Sequence, residues 1–149
     1  MELGAPVQGE TVPISEVPDP TFGEEILGKG IAIRPTDGHI CAPCDGIISL
    51  MFDMGHAVSM VSDSGVEILI HVGLDTVKLK GTHYTVHCLN GDKVKAGQLL
   101  IECDLDGLRA DGYDTITPVV ICNSGDLQEV RANTGMTVSV GDTILTLRK

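Results

Sequence analysis

Two histidines in neighbouring apolar runs are the residues of this sequence best suited to chemistry. His71 lies near the end of the run Ile68–Val72, just ahead of Gly73, and His56 begins the run that continues through Ala57–Val61. A neutral imidazole near pH 7 can accept a phosphoryl group, move a proton or bind a metal ion. The first question is therefore whether the two rings meet.

A β-hairpin would bring the two runs together. The segment Ser62–Gly65 between them is rich in turn-forming residues. If a two-residue turn centres on Asp63 and Ser64, His56 stands directly opposite His71, with about 4.5–5.5 Å between their Cβ atoms. A shift of one residue in the register would separate them, so this expectation requires an even-numbered turn.

Strand alternation in that register predicts what surrounds the pair. The histidine face would also carry Glu67, Leu69, Val58 and Met60, and would thus be partly apolar. From the residues alone two interpretations stay open. A histidine in an apolar strand is commonly a hydrogen-bonded structural residue, whereas a facing pair suits a site that holds a small anion.

The remaining histidines and the cysteines suggest no second site. His83 and His87 share a face of an extended segment, but no third ligand completes a metal site, so we expect surface residues; His39 lies in a turn. The five cysteines are odd in number and spread out, which predicts free thiols. The C-x-x-C spacing of Cys41 and Cys44 lacks both the second pair of a zinc site and the following helix of a redox pair.

Composition predicts one all-β domain. The 149 residues include 18 glycines and 7 prolines but only two Phe, two Tyr and no Trp. Short aliphatic runs between turns favour a β-sandwich or barrel, with one or two short helical turns, over residues 5–149 after a tail at residues 1–4. Two weak internal repeats, Ala5–Val12 with Ala42–Ser49 and Gly91–Ile101 with Gly135–Leu145, indicate duplicated strand–turn units.

Charge and hydropathy exclude some functions. A net charge of −11 argues against nucleic acid binding, which needs a basic footprint, and suits a partner with a basic surface. No apolar run reaches the roughly 18 residues of a membrane span, and no signal peptide is visible. We therefore expect a cytoplasmic domain without direct membrane insertion.

The segment Gly65–Val77 resembles the signature of the glucose-type enzyme IIA family of the bacterial sugar phosphotransferase system. The pattern is a glycine, two variable residues, three aliphatic residues, the histidine, an aliphatic residue or Phe, Gly, an aliphatic residue, any residue, Thr and an aliphatic residue, and every position matches. The resemblance extends from Ala5 to Arg148. It includes Ala5-Pro6, Val17-Pro18-Asp19, Gly30-Ile31-Ala32-Ile33, Ala42-Pro43, Asp45-Gly46, His56-Ala57, Lys80-Gly81 and Thr117-Pro118-Val119-Val120.

This resemblance implies an antiparallel β-sandwich or barrel with internal quasi-symmetry, and a phosphotransferase activity that needs no cofactor or metal. Nε2 of His71 would accept a phosphoryl group from the phosphocarrier protein HPr and pass it to a cysteine of a IIB domain. The carbonyl of Gly73 would hold Nδ1–H of His71, and His56 would donate a hydrogen bond to a phosphoryl oxygen.

The resemblance also implies a docking surface. Asp19 and Asp75 match acids that face a basic residue of HPr, and an apolar rim would surround the histidines and exclude water, formed by Phe22, Phe52, Val58, Leu69 and Val77. Three positions depart from the family. Met54 replaces a common threonine two residues before the first histidine, and Val61 and Lys78 replace acids. These changes affect the surroundings of His56 and the docking contacts.

Two other functions are compatible with a pair of close histidines. A zinc hydrolase of the lysostaphin type needs an H-x-H pair with an upstream His and Asp, and the sequence has no H-x-H. A regulatory binding module that has lost transfer chemistry would not need both histidines. The short lead before Ala5 is what we expect of a domain cut from a longer transporter, in which the choice of sugar belongs to the membrane IIC domain.

Overall fold

The computed structural model describes residues 1–79 and 81–149, with only the backbone of Val77 and Lys78. The described residues form fourteen strands, two short α-helices and three 3-10 helices. The strands are β1 (Glu2–Gly4), β2 (Gly9–Pro13), β3 (Lys29–Pro35), β4 (His39–Cys41), β5 (Gly46–Met51), β6 (Ala57–Ser62), β7 (Glu67–His71), β8 (Tyr84–Val86), β9 (Lys93–Val94), β10 (Leu99–Cys103), β11 (Thr117–Ile121), β12 (Glu129–Ala132), β13 (Thr137–Val138) and β14 (Thr143–Arg148). The helices are α1 (Pro20–Gly23) and α2 (Leu105–Ala110), and the 3-10 helices span Ile14–Glu16, Thr76–Leu79 and Ser124–Asp126.

Among the described residues, all strand pairs are antiparallel and belong to three sheets. The largest has eight strands in the order β13-β2-β3-β11-β7-β6-β5-β9, and the two smaller sheets are β1-β14-β12 and β4-β10-β8. Over the described part of the chain the strands form a sandwich and do not close into a barrel. The predicted all-β antiparallel class is confirmed, and of its two forms the sandwich is the one present.

One aliphatic core joins the three sheets. It takes Leu145 from β14, Ile101 from β10, and Ile33, Met60 and Ile70 from the large sheet, all at most 1 % exposed. On β6 and β7 these side chains alternate with more exposed residues, whereas β3 and β11 bury residues on both faces of the sheet. The scarcity of aromatic residues is therefore compensated by branched aliphatic ones.

A second, smaller apolar cluster covers the other face of the large sheet. We call it the outer cluster; its buried members are Val12, Ile14, Val17, Phe22, Ala32, Leu74, Ile116 and Val120, and Leu69 packs against it. It fixes α1 onto the sheet through Phe22. Leu69 lies two residues before His71, so the outer cluster reaches the histidine-bearing end of β7.

The internal repeats form matching hydrogen bonds. The amide of Gly141 donates to the carbonyl of Ala5 over 3.1 Å, and the amide of Gly97 donates to the carbonyl of Ala42 over 2.8 Å. The strands next to these residues also correspond. β13 pairs with β2 in one repeat, and β9 pairs with β5 in the other. The two repeated hairpins thus occupy equivalent positions beside the two repeated strands.

The amino terminus differs from the sequence prediction. Residues 1–4, predicted to be a tail, instead contain β1, which pairs with β14 and buries Leu3 completely. An apolar side chain beside the open edge of β14 is the physical reason, because pairing satisfies that edge and removes Leu3 from water. The two short α-helices, α1 and α2, agree with the one or two short helical turns expected from the sequence. Among the described residues, no helix combines the length and apolarity that crossing a membrane requires.

Candidate active site

The hairpin between β6 and β7 has a three-residue loop. Ser62 pairs with Val66 across Asp63–Gly65, and Gly65 takes the left-handed conformation with φ +90° that commonly ends a loop of this length. Ala57, and not His56, is therefore the residue directly opposite His71. The predicted two-residue turn was wrong, and the register differs by one residue from the expected one.

The changed register alters which residues accompany His71. Its face also carries Leu69 and Glu67, and Ala57, Ser59 and Val61 stand opposite His71, Leu69 and Glu67 respectively. Val58 and Met60 point to the opposite face and belong to the main core, with Val58 0 % exposed. Val58, predicted to line the apolar rim, cannot contact a partner from there, because a one-residue shift exchanges the two faces of a strand.

The two histidines nevertheless meet. Their ring centroids are 5.3 Å apart, with the rings nearly perpendicular at 72°. His56 precedes β6 and follows Gly55, whose φ of +76° lets the chain leave the pleat, so strand alternation does not dictate its direction. The amide of Val72 donates to the carbonyl of His56 over 2.7 Å and holds the two segments together.

The turn after His71 fixes the orientation of its ring. Nδ1 of His71 lies 2.6 Å from the carbonyl oxygen of Gly73, so Nδ1–H donates and the lone pair of Nε2 stays free. Gly73 has φ +84°, and a Cβ there would lie 3.0 Å from the carbonyl oxygen of Asp114. A glycine is thus needed to point this carbonyl at the ring.

His56 has no comparable support. The side chain is 6 % exposed, and its Nδ1 is buried without a hydrogen-bond partner among the described residues. A buried N–H donor without a partner costs free energy. The favoured tautomer of the neutral ring therefore carries its proton on Nε2 and not on the buried Nδ1. That tautomer offers one N–H donor at Nε2.

Burial keeps both rings neutral. It lowers the pKa of His71 from the ordinary value of 6.5, against the opposing effects of the Gly73 carbonyl and of the Asp19 and Asp75 carboxylates. The pKa of His56 is also lowered, first by burial and then by the neighbouring His71. Near pH 7 the site therefore presents one imidazole acceptor and one N–H donor.

Aromatic rings flank the pair on both sides. The ring of Phe22 lies 5.2 Å from that of His71, and the ring of Phe52 lies 5.3 Å from that of His56. Phe52 and Leu69 are half-buried, while Phe22 is only 5 % exposed as part of the outer cluster. Of the other predicted rim residues, the side chain of Val77 lies outside the described residues.

Two carboxylates, Asp19 and Asp75, stand close enough to His71 to raise its pKa against the effect of burial. Asp19 and Asp75 line one open cavity of about 560 Å³, together with Leu74 and Tyr113. Asp19 also accepts a hydrogen bond from the amide of Thr21 over 3.0 Å and so caps α1, which fixes its position. Asp114 also lines the cavity, so a basic group that entered it would lie among three aspartates.

The other histidines are paired with carboxylates that the sequence analysis did not anticipate. Nε2 of His83 lies 2.7 Å from a carboxylate oxygen of Asp111, and Nε2 of His87 lies 2.8 Å from one of Glu102. Within residues 1–79 and 81–149, no group of three or more His, Cys, Asp or Glu side chains is arranged to hold a metal ion.

Sequence reasoning missed Tyr84. Its hydroxyl donates to the carbonyl oxygen of Val72 over 2.6 Å, directly behind the histidine turn. Tyr84 belongs to β8, in a different sheet from β6 and β7, so no local pattern in the sequence connected it with His71.

Comparison with known proteins agrees with this geometry. The family model described as phosphoenolpyruvate-dependent sugar phosphotransferase system, EIIA 1, matches residues 1–127. A solved structure, the glucose permease IIA from Mycoplasma capricolum, superposes with a TM-score of 0.89 at 31 % sequence identity. The match covers 97 % of this chain and 94 % of that chain.

Proposed function

The chain belongs to the EIIA 1 family of the phosphoenolpyruvate-dependent sugar phosphotransferase system and is a phosphocarrier domain of that system, and on this premise we propose that His71 is the residue that carries the phosphoryl group. The observation that carries the proposal is the hydrogen bond of 2.6 Å between Nδ1 of His71 and the carbonyl of Gly73. It leaves Nε2 as the free nucleophile, on a ring whose centroid lies 5.3 Å from that of His56.

The proposed reaction has two transfers. In the first, Nε2 of His71 attacks the phosphorus of phospho-HPr; an N–P bond forms on His71 as the N–P bond of the donor breaks. In the second, the thiolate of a IIB cysteine attacks, an S–P bond forms, and the electron pair returns to Nε2. No proton leaves Nδ1 in either step, because that nitrogen stays hydrogen-bonded to Gly73.

His56 acts as the donor in this proposal. Its Nε2–H would contact an oxygen of the phosphoryl group in a loose, anionic transition state, for which preorganised donors are the main source of stabilisation. His71 gains a positive charge when it is phosphorylated. The carbonyl of Gly73 and the carboxylates of Asp19 and Asp75 favour that charge, since each already raises the pKa of His71.

Docking would use the surface around the pair. Phe52 and Leu69 supply apolar contact, Phe22 supports the ring of His71 from beneath, and Asp19 and Asp75 offer a cavity for a basic side chain. When a partner covers this surface, water is excluded and the phosphohistidine is protected from hydrolysis. This reaction belongs to the cytoplasm, where phosphoenolpyruvate is available.

Incubation with phosphoenolpyruvate, enzyme I and HPr tests the proposal. Mass spectrometry of the intact protein should show one added phosphoryl group, and peptide mapping at alkaline pH should find it on His71. The His71→Ala variant should gain none, while a variant of a remote histidine, His39→Ala, should be phosphorylated like the wild type. Phosphate on His71→Ala, or none on the wild type, would refute the assignment.

A further inference from the structure

Tyr84 contacts the backbone of both segments that carry the histidines. Its hydroxyl reaches the carbonyl of Val72, which follows His71, and its side chain packs against Gly55, which precedes His56. We propose that Tyr84 is a positioning residue that sets the relative orientation of the two imidazoles. This inference rests on the proposed function where it concerns phosphoryl transfer, but the orientation itself can be measured without it.

The first contact acts through the peptide groups of Val72. The amide of Val72 donates to the carbonyl of His56 over 2.7 Å, and its carbonyl accepts from Tyr84 over 2.6 Å and from the hydroxyl of Thr76 over 3.3 Å. Val72 is therefore tied to the segment of the first histidine on one side and to β8 on the other. The carbonyl that holds Nδ1 of His71 belongs to the next peptide group, between Gly73 and Leu74, so the Val72 carbonyl that Tyr84 holds is only one residue before it.

The second contact is steric. A Cβ on Gly55 would lie 2.9 Å from Cβ of Tyr84 and 3.1 Å from Cγ2 of Val86. The chain that enters His56 thus runs directly over β8. Gly55 has φ +76° and no Cβ, so the chain can pass this close to Tyr84 and Val86. The position of Tyr84 therefore limits the path of the chain into His56, and with it the direction of the His56 ring.

Tyr84 is well suited to serve as a fixed reference. It lies in β8, which pairs with β10, and its ring packs against the main core. Burial raises the pKa of the phenol, so the hydroxyl stays protonated and remains a donor at every pH at which the protein works. The two histidine segments belong to the large sheet, whereas Tyr84 belongs to the sheet β4-β10-β8, so it anchors them from outside.

This arrangement predicts an effect on transfer and not on docking. Tyr84 does not line the cavity of Asp19 and Asp75, and its hydroxyl is directed at the carbonyl of Val72 behind His71. During transfer, the Nε2–H donor of His56 and the Nε2 nucleophile of His71 must both be correctly placed relative to the phosphoryl group. A small displacement of either one slows the reaction. The loss of the hydroxyl should therefore lower the transfer rate and leave the concentration of HPr needed for half-saturation unchanged.

The test uses Tyr84→Phe, which keeps the ring and removes the hydroxyl, with Thr85→Val as the matched control. Thr85 is the exposed neighbour on the same strand and also loses one hydroxyl. In single-turnover transfer from phospho-HPr, Tyr84→Phe should be slower by about twofold to about tenfold, the range that one ordinary hydrogen bond allows. Thr85→Val should equal the wild type.

A second readout needs no phosphoryl transfer. The imidazole signals of His56 and His71 in nuclear magnetic resonance spectra should both move in Tyr84→Phe, and neither should move in Thr85→Val. If the wild type proves unable to accept phosphate, the proposed function fails while this readout still decides the positioning role. If the wild type is active and Tyr84→Phe has both an unchanged rate and unchanged histidine signals, the positioning role is overturned.

One further variant covers the case in which Tyr84→Phe does not fold. Thr76→Val removes the other hydroxyl that bonds to the carbonyl of Val72. It should produce the same kind of change, a slower transfer with displaced signals of both histidines. Wild-type signals and rate in a folded Thr76→Val protein would equally contradict the inference.

Discussion

His56 and His71 face each other edge to face, 5.3 Å apart between ring centroids, yet only His71 has its Nδ1 hydrogen-bonded to the protein. The pair is close enough to share one phosphoryl group but is chemically unequal. His71 has a fixed tautomer with a free Nε2, and His56 has a buried Nδ1 without a partner among the described residues. This inequality predicts different roles for the two histidines in phosphoryl transfer.

The two histidines should respond differently to substitution. His71→Ala should abolish phosphorylation, since the nucleophile is gone. His56→Gln should still be phosphorylated on His71 but should transfer about 10²–10³ more slowly, corresponding to about 2.7–4 kcal/mol for one lost donor to a transition-state oxygen. Rapid-quench measurement of a single turnover in both directions checks this. Phosphate on His56 of the wild type, or a completely inert His56→Gln, would contradict the division of roles.

Met54→Thr should improve the support of His56. The family resemblance places a threonine there, and a hydroxyl at this position could donate to the unpartnered Nδ1 of His56. We expect a faster transfer and a free energy of unfolding higher by up to about 1 kcal/mol, measured by urea denaturation. Met54→Val is the matched control, because valine has the shape of threonine without the hydroxyl. Equal behaviour of the two variants would show that the hydroxyl does not reach the ring.

Docking of HPr should depend on salt through Asp19 and Asp75. The two carboxylates line one cavity, and exposed charges are screened beyond about 10 Å at ~0.1 M salt. The association rate of the wild type should fall as salt rises, and it should fall less steeply in the double variant Asp19→Asn with Asp75→Asn. Asp126→Asn, an exposed acid in the short helix Ser124–Asp126, serves as the control for net charge. An association rate that does not change with salt would mean that docking depends on the apolar contacts alone.

Stability should decrease on mild acidification because of the histidine pair. Burial lowers the pKa of both His56 and His71 from 6.5, so the unfolded chain binds more protons than the folded one just below that value. Their contribution to the free energy of unfolding is complete above pH 6.5 and is lost as the pH falls toward the folded-state pKa values. Urea denaturation between about pH 5.5 and pH 7.5 measures the slope, since an unperturbed histidine titrates near ~6.5.

A histidine variant isolates this effect. His56→Gln should flatten the dependence on pH, because one of the two titrating groups is removed. His39→Gln should not flatten it, since Asp37 raises the pKa of His39 and gives a dependence of opposite sign. An unchanged slope in His56→Gln would mean that the acid sensitivity arises elsewhere.

All five cysteines should be free thiols of unequal reactivity. Cys122 is exposed, Cys103 is half-buried, and Cys41, Cys44 and Cys88 are buried. Burial raises the pKa of the Cys44 thiol to about 11 and that of Cys103 to about 12, which further slows their reaction. Titration of the folded protein should label Cys122 first, and Cys122→Ser should lose that fast phase. Denatured protein without reductant should give five thiols, and a lower count that reductant restores would reveal disulfides.

The sequence was sufficient for the fold class and for the composition of the core. Aliphatic runs between glycine-containing turns define an all-β protein, and the repeats indicated the two equivalent hairpins. The choice between sandwich and barrel depends on how sheets close, which is a long-range property that alternation does not report. The strand at Glu2–Gly4 escaped prediction because its only apolar residue is Leu3, and its partner β14 is far away in the chain.

The histidine pair shows how a correct contact can follow from an incorrect register. Asp63–Gly65 forms a three-residue loop because Gly65 adopts a positive φ, and the spacing alone did not distinguish this from a two-residue turn. That difference moved Val58 into the core. The rings still meet because Gly55 releases His56 from the strand, a feature that depends on one backbone angle.

Both chain termini lie at the end of the molecule opposite the histidines. The amino group of Met1 donates to the carbonyl of Leu147, and Nζ of Lys149 donates to the carbonyl of Ser64 in the loop of the β6–β7 hairpin. The length of that hairpin, about 20 Å, separates them from His56 and His71. A domain fused to either terminus would therefore leave the histidine surface open, and a flexible linker could raise the local concentration of a fused partner while still letting a second protein dock.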